Sequence, residues 1–101
     1  MPTTPKILFR GAASTSTGTT LYTVPASTTT IVTSIVITNT AASAGTFTLA
    51  LGGTNLATTV SVGANDSTVL DLKQVLTATQ TITGGASATT INFHISGVEV
   101  A

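Results

Sequence analysis

Charged side chains are the scarcest feature of this 101-residue sequence. They make up 6% of the chain, against about 25% in an ordinary soluble domain. Three basic residues balance three acidic ones, so the formal net charge is zero. No basic cluster exists that could neutralise several phosphates, which argues against nucleic-acid binding. A surface with so little charge lacks the repulsion that keeps monomers apart, so the composition favours a subunit of an assembly over a monomer solvated by its hydroxyl groups.

Cysteine is absent, and histidine occurs once, at His94. The chain can therefore form neither a disulfide nor a thiolate metal site, and one histidine alone cannot build a zinc site. Asp66 and Asp71 lack the spacing of a calcium-binding loop, and motifs such as G-x-S-x-G or H-E-x-x-H do not occur. A pair of carboxylates in glycosidase geometry stays open, although only three acids and four aromatic residues are present. We predict no catalytic residue, no metal site and no cofactor.

Long apolar runs are also missing. None approaches the roughly 18 residues that a membrane-spanning helix needs. The N-terminal segment 1–10 does not have the pattern of a secretory signal peptide. We therefore expect synthesis in the cytoplasm, no membrane insertion and no export through a signal peptide.

What the chain has in abundance is β-branched residues, with threonine alone at 25 of 101 positions. Such residues suit a pleated strand better than a helix. The longest β-branched segment, 28–40, predicts a central strand with Ile31, Ile35 and Ile37 facing the core. Val32 and Val36 would then lie on a half-apolar second face, which another subunit or a segment of the same chain could cover.

Turn signals divide the rest of the chain into short strands. The other strand candidates lie at 7–9, 20–24, 46–51, 56–62, 68–72, 79–83 and 91–95. The glycines at 52 and 53 predict a hairpin. One short helical turn is expected at 73–76, a loose loop at 84–88, and a β-bulge at Gly97 that would turn Val98 and Val100 inward. The residues predicted to share one core are Ile35, Phe47, Leu49, Val60, Leu70, Phe93 and Ile95.

Eight short strands, almost no helix and a single core predict an all-β fold. The most suitable architecture is an antiparallel β-sandwich of jelly-roll or immunoglobulin-like type, and a small barrel is the second choice. The predicted sandwich domain spans 20–101. It follows an extended N-terminal arm, a short strand and a loop within 1–19.

The segment 1–10 is the predicted partner-binding element. Pro2 and Pro5 favour an extended chain, and the three consecutive apolar residues at 7–9 place apolar side chains on both faces. Such an arm can add a strand to an exposed sheet edge of a neighbouring subunit. The alternative is a first strand paired within its own sandwich. The predicted partner-binding residues are Lys6, Ile7, Leu8, Phe9 and Arg10.

The segment Leu21-Tyr22-Thr23-Val24-Pro25-Ala26, running into 31–35, resembles a pattern in small structural proteins of tailed bacteriophages. The resemblance continues at 64–67, at 69–76 and in the C-terminal segment 94–100, so it covers most of the chain. It implies a virion component: a head decoration or cement protein, or a fibre or minor tail subunit. Proteins of this kind are typically β-sandwiches assembled as trimers, pentamers or hexamers, and the resemblance brings no catalytic residue.

We therefore expect a non-enzymatic virion protein, with a decoration or cement subunit that binds the major capsid protein as the first choice. The low charge and the half-apolar second face predict a homo-oligomer, with a trimer as first choice. A tail or fibre subunit, or a host- or glycan-binding module of the virion, is the alternative. Glycan binding would need exposed aromatic residues, and the chain has one tyrosine and three phenylalanines.

Overall fold

The computed structural model describes residues 3–101, so Pro2, which was predicted to hold the N-terminal segment extended, lies outside the described residues. Within 3–101 the chain forms eight β-strands: β1 (Thr3–Ala12), β2 (Thr20–Thr23), β3 (Thr29–Asn39), β4 (Gly45–Leu51), β5 (Thr54–Val62), β6 (Ser67–Leu76), β7 (Thr81–Ala86) and β8 (Ile91–Val100). In this range there is no helix long and apolar enough to cross a membrane.

The strands form two four-stranded antiparallel sheets. Sheet A has the order β1-β8-β3-β6, and sheet B has the order β2-β7-β4-β5. β1 pairs with β8, β2 with β7, β3 with β6 and β4 with β5, so the first half of the chain runs against the second half. This pairing of eight strands in two sheets is a jelly roll. The predicted antiparallel β-sandwich is confirmed, and of its two named types the topology is the jelly roll.

One hydrophobic core lies between the inner faces of the two sheets. Phe47 from sheet B meets Phe93 from sheet A edge to face, with ring centroids 6.2 Å apart. Ile35, Leu49 and Ile95 are fully buried around this pair. Five of the seven predicted core residues are thus confirmed. The other two, Val60 and Leu70, pair with buried residues but lie on the edge strands β5 and β6, where they are only partly covered.

The predicted central strand is confirmed as β3, which lies between β8 and β6. Its faces differ from the prediction, because a register shift at Thr33 interrupts the alternation. An extra residue moves the side chains before it to the opposite face. As a result Val32 is buried, whereas Ile31 lies half-buried on the outer face of sheet A. The prediction that Ile31 faces the core and Val32 faces outward is wrong.

The β-bulge predicted at Gly97 is also wrong, because β8 alternates through this position and Gly97 faces inward. The register shifts lie in the two neighbouring strands, at Leu8 of β1 and at Thr33 of β3. A Cβ atom on Gly97 would lie 2.5 Å from the backbone oxygen of Ile31, so glycine is needed for the close approach of β3. The residues that the bulge was expected to turn inward lie on the outer face: Val98 and Val100.

Two further local predictions are wrong. The segment 73–76 is the end of β6 rather than a helical turn, because pairing with β3 supplies partners that a four-residue helix lacks. The glycines at 84 and 85 lie inside β7 rather than in a loose loop. A Cβ atom on Gly85 would lie 2.4 Å from the carbonyl oxygen of Ser16. The glycine therefore lets the loop 13–19 pack directly on β7.

The N-terminal segment is the edge strand of sheet A. β1 pairs with β8 in a register that runs from Thr3 opposite Val100 to Ala12 opposite Asn92. This is the arrangement that the sequence left open as the alternative to a separate arm. Residues 3–12 are thus part of the sandwich that was predicted to begin at residue 20.

Candidate docking surface

The sandwich has two lateral seams where the edges of its sheets meet. One lies between β1 and β2, and the other lies between β5 and β6. Polar side chains close the first seam, whereas apolar side chains line the second and leave it open. This asymmetry distinguishes the two sides of the molecule.

The polar seam is closed by Tyr22, which extends from β2 in sheet B to Glu99 on β8 in sheet A. The Tyr22 hydroxyl donates a hydrogen bond to the Glu99 carboxylate and lies 2.9 Å from Oγ1 of the buried Thr30. Lys6 Nζ lies 3.3 Å from the same carboxylate. The hydrogen bond from Tyr22, followed by the contact with Lys6, lowers the pKa of Glu99. Burial, followed by the contact with Glu99, raises the pKa of Tyr22.

We expect this cluster to make stability depend on pH at both ends of the scale. The pKa of Glu99 is lowered from its ordinary value of 4.5. Its contribution is therefore complete above pH 4.5 and is lost as the pH falls through the lowered value. The pKa of Tyr22 is raised from 10.0, so its contribution is complete below pH 10.0 and is lost as the pH rises through the raised value.

Tyr22→Phe removes the phenol from this cluster and should lower the free energy of unfolding by about 1 kcal/mol at neutral pH. It should also flatten the loss of stability in acid, because Glu99 loses the bond that lowers its pKa most. Urea unfolding followed by circular dichroism across the pH range measures both effects. Asp66→Asn, at an exposed acid in the turn before β6, is the control and should keep the acid dependence of the wild type. An unchanged acid dependence in Tyr22→Phe would contradict the role of this cluster.

The apolar seam is a groove of about 600 Å³ between the two edge strands β5 and β6. Buried Phe47 contributes to its lining, and Leu56 and Val60 of β5 are 39% and 37% exposed. On the opposite side, Leu70 and Leu72 of β6 are partly buried. β5 is an irregular edge strand, because its ladder with β4 shifts register twice. The groove exposes apolar surface that water does not solvate well, which is typical of a docking site.

The outer face of sheet A carries the most exposed large apolar side chains of residues 3–101. Ile7 is 51% exposed, Val69 is 59% exposed and Val75 is 61% exposed. Val69 and Val75 lie opposite the outward residues Val36 and Ile31 of β3. Because each of the three is more than half exposed, no other described part of the chain covers it. The half-apolar second face of the central strand is therefore left open here.

The five predicted partner-binding residues do not form one surface. Leu8 is buried and Phe9 packs against the core, so both stabilise the sandwich of their own chain. Lys6 is bound to Glu99 at the polar seam. Only Ile7 and Arg10 lie exposed on the outer face of sheet A. Partner binding through β1 stays a prediction, and these two residues are the ones free to make it.

Val75 is the surface residue that sequence reasoning missed. The assignment of 73–76 to a helical turn broke the alternation that begins with Val69 and Asp71. Continuing that alternation to Lys73 and Val75 would have placed all four side chains on one face of a single strand, as the structure does.

The side chains that could take part in catalysis or metal binding lie apart from one another. His94 lies half-buried on the outer face, with Arg10 and Val36 as its cross-strand neighbours. Asp66 accepts a hydrogen bond from the backbone N–H of Ser67 in the turn before β6, as expected for a turn residue. Residues 3–101 contain no group of three or more histidine, aspartate or glutamate side chains that could hold a metal ion.

The four aromatic side chains face the interior. Phe47 and Phe93 are buried, and Phe9 and Tyr22 are partly buried against the core. None of the four stands free on the surface as a platform for stacking on a sugar.

No protein-family model matches this sequence, and no curated protein matches it either. The resemblance to phage structural proteins stays a prediction.

Proposed function

We propose that this chain is a non-enzymatic structural protein of a tailed-phage virion, and specifically a decoration or cement subunit that binds the assembled capsid. The observation that carries the proposal is the outer face of sheet A. There Ile7, Val69 and Val75 are each more than half exposed on a chain with almost no charge. Covering such a face with another protein is favourable because apolar area leaves water.

Composition and resemblance support the same role. A neutral, threonine-rich exterior provides little of the repulsion that keeps free monomers dispersed. The segments from Leu21 to the C-terminus resemble virion proteins. The jelly roll agrees with this role but does not select it, because capsid proteins, lectins and cupins all use the fold.

The aromatic side chains favour capsid binding over the glycan-binding alternative. Sugar-binding sites need exposed aromatic faces for stacking, and the four aromatics of this chain pack against its own core. The exposed side chains Ile7, Val69 and Val75 are aliphatic, so they offer a glycan neither a stacking ring nor a hydrogen-bonding group. The proposed partner is therefore a protein surface with apolar patches, such as that of the major capsid protein. This surface would carry an acidic group opposite Arg10.

Labelling particles with an antibody against this chain tests the virion role. Electron microscopy of labelled, purified particles should show label repeated over the head. Label restricted to the tail or its fibres would instead support the tail-subunit alternative. Absence of the chain from purified particles, by both microscopy and mass spectrometry, would contradict the proposal.

Substitutions on β1 test which face binds the particle. The double variant Ile7→Ser/Arg10→Ser should bind about tenfold or more weakly to particles that lack the chain, because one apolar and one charged contact are lost. Both side chains are exposed, so the fold should be retained. Thr4→Ser, at an exposed position of the same strand, is the control. Co-sedimentation measures the affinity, and equal binding of the double variant and the control would exclude β1 from the contact.

A further inference from the structure

Four strands have an edge without a partner strand in the described part of the chain: β1 and β6 in sheet A, and β2 and β5 in sheet B. An open strand edge can pair with another chain, and proteins usually prevent this with proline, bulges, like charges or short strands. Three of these four edges combine at least two such features, whereas β6 has a single register shift. The fourth, β6, has a pattern of side chains that complements itself.

The three protected edges differ in how they are protected. β1 contains Pro5, which lacks an N–H, and a register shift at Leu8, and its two charges are both positive. β2 has only four residues and is followed by Pro25. β5 shifts register twice against β4 and contains Thr59 with a positive φ of 51°.

β6 is ten residues long and contains no proline, no glycine and no residue with positive φ. Its ladder with β3 shifts register once, where Leu72 and Lys73 both lie opposite Thr33, and its pairing with β3 keeps Asp71 and Val75 on the outer face of sheet A. Four consecutive outward side chains are exposed, in the order apolar, acid, base, apolar. They are Val69, Asp71, Lys73 and Val75. The two valines and the two opposite charges lie at equal distances on either side of Leu72, so the order is complementary to itself.

We propose that two copies of this chain form a symmetric dimer through β6, paired antiparallel around a twofold axis at Leu72. In this register Asp71 lies opposite Lys73 of the second copy, and the symmetry repeats the contact. Val69 likewise lies opposite Val75 of the second copy. Opposite charges and apolar pairs directly across an antiparallel ladder both stabilise it. A twofold interface brings one patch against itself, as this self-complementary order requires.

Neighbouring registers do not offer the same match. Moving the axis to Leu70 would set Asp71 against Val69 of the second copy. Moving it to Gln74 would set Lys73 against Val75. An axis at Asp71 or at Lys73 would also keep opposite residues on one sheet face, but it would set that charge against the same charge of the second copy, which is unfavourable. The register centred on Leu72 is therefore the one that pairs both charges and both valines.

The inward-facing side chain of Leu72 would also contribute to the dimer interface. Leu72 is partly buried at the edge of the apolar groove, close to Leu56 and Val60 of β5. In the proposed dimer Leu72 meets its own copy at the axis, so the mouth of the groove is covered from the side. The two copies of sheet A would then form one continuous eight-stranded sheet. This pairing does not depend on the virion role, and it predicts a dimer where the composition suggested a trimer.

Charge exchange on β6 tests the proposal in the full-length chain. D71K places only positive charges at the axis, and K73D places only negative charges there, so each variant should raise the dimer dissociation constant about tenfold or more. The double variant D71K/K73D restores the complementary order and should dimerise like the wild type. Mixing the two single variants should give a heterodimer. Sedimentation velocity measures all four cases.

Three controls separate pairing from misfolding. Asp71 and Lys73 are both exposed, so the urea midpoints of their variants should stay near that of the wild type when all are measured below the dimer dissociation constant. D66K makes the same change of charge in the turn before β6 and should leave the dimer intact. L72C provides the only cysteine in the chain, so a disulfide formed on oxidation must join two copies at the proposed axis.

A dimer that weakens with either single variant, recovers with the double variant and cross-links through L72C supports the proposal. A monomer or a trimer of the wild-type chain would overturn it. A dimer that is insensitive to D71K and K73D would also overturn it, because another surface would then hold the copies together.

Discussion

Replacing Phe93 by alanine should lower the free energy of unfolding by about 3 to 5 kcal/mol. Phe93 is fully buried on β8, and its ring packs edge to face on Phe47 of the opposite sheet at 6.2 Å. The substitution removes the aromatic pair and leaves a cavity between the two sheets, which the strands on either side of β8 prevent from collapsing. Because a domain has a total stability of only about 5 to 15 kcal/mol, this is a large fraction of it.

Urea unfolding followed by far-ultraviolet circular dichroism measures this loss, since the chain contains no tryptophan. Phe9→Ala is the matched control, because Phe9 lies on the edge strand β1 and is only partly buried. It should cost clearly less than Phe93→Ala. Equal losses for the two variants would mean that the aromatic pair does not link the two sheets.

Gly85→Ala should destabilise the protein by about 3 kcal/mol, at the upper end of the range for overpacked sites. The added Cβ atom would lie 2.4 Å from the carbonyl oxygen of Ser16 and 2.7 Å from that of Ser14. Both are backbone atoms, so neither can rotate away as a side chain could. The loop 13–19 would have to leave β7 and would lose the hydrogen bond from Ala86 N to Ser14 O, which is 2.8 Å long.

Gly18→Ala is the control for Gly85→Ala. A Cβ atom on Gly18 would meet no atom within 4 Å, so this variant should change the free energy of unfolding by less than about 0.5 kcal/mol. Thermal unfolding of both variants by circular dichroism gives the comparison. If Gly85→Ala were as stable as Gly18→Ala, the loop would not be packed on β7 as described.

The two seams differ in the side chains that they leave available for contacts with other subunits. At the polar seam, Tyr22, Glu99 and Lys6 bind one another within the chain, so these three side chains are not free to bind a partner. The apolar groove lies on the other side, beside the exposed residues Val69 and Val75 of β6. The proposed dimer uses β6, whereas Ile7 and Arg10 on β1 stay available for a larger particle.

Local patterning was sufficient to predict most strands and the fold class. β-Branched segments separated by turn residues predicted strands at or near all eight observed positions, because pleated backbone favours these side chains and glycine or proline interrupts it. The core pair Phe47 and Phe93 followed from simple alternation. The hairpin between β4 and β5 followed from Gly52 and Gly53.

Predictions failed where a distant strand decides the local conformation. The segment 73–76 has helical composition but pairs with β3, and the glycines of β7 have loop composition but accommodate the loop 13–19. A register shift depends on the neighbouring strand, so the bulge predicted at Gly97 was found instead in the strands on both sides of it.

The sequence by itself therefore determined the all-β class, the strand positions and the scarcity of charge, because these depend on composition and on residues close together in the chain. Only the tertiary structure decided the pairing of β1 with β8, the side of the molecule that stays apolar, and the exposure of Val69 and Val75 beside Asp71 and Lys73. Each of these depends on which strand becomes an edge of its sheet. That outcome follows from the pairing of all eight strands at once, and no single segment encodes it.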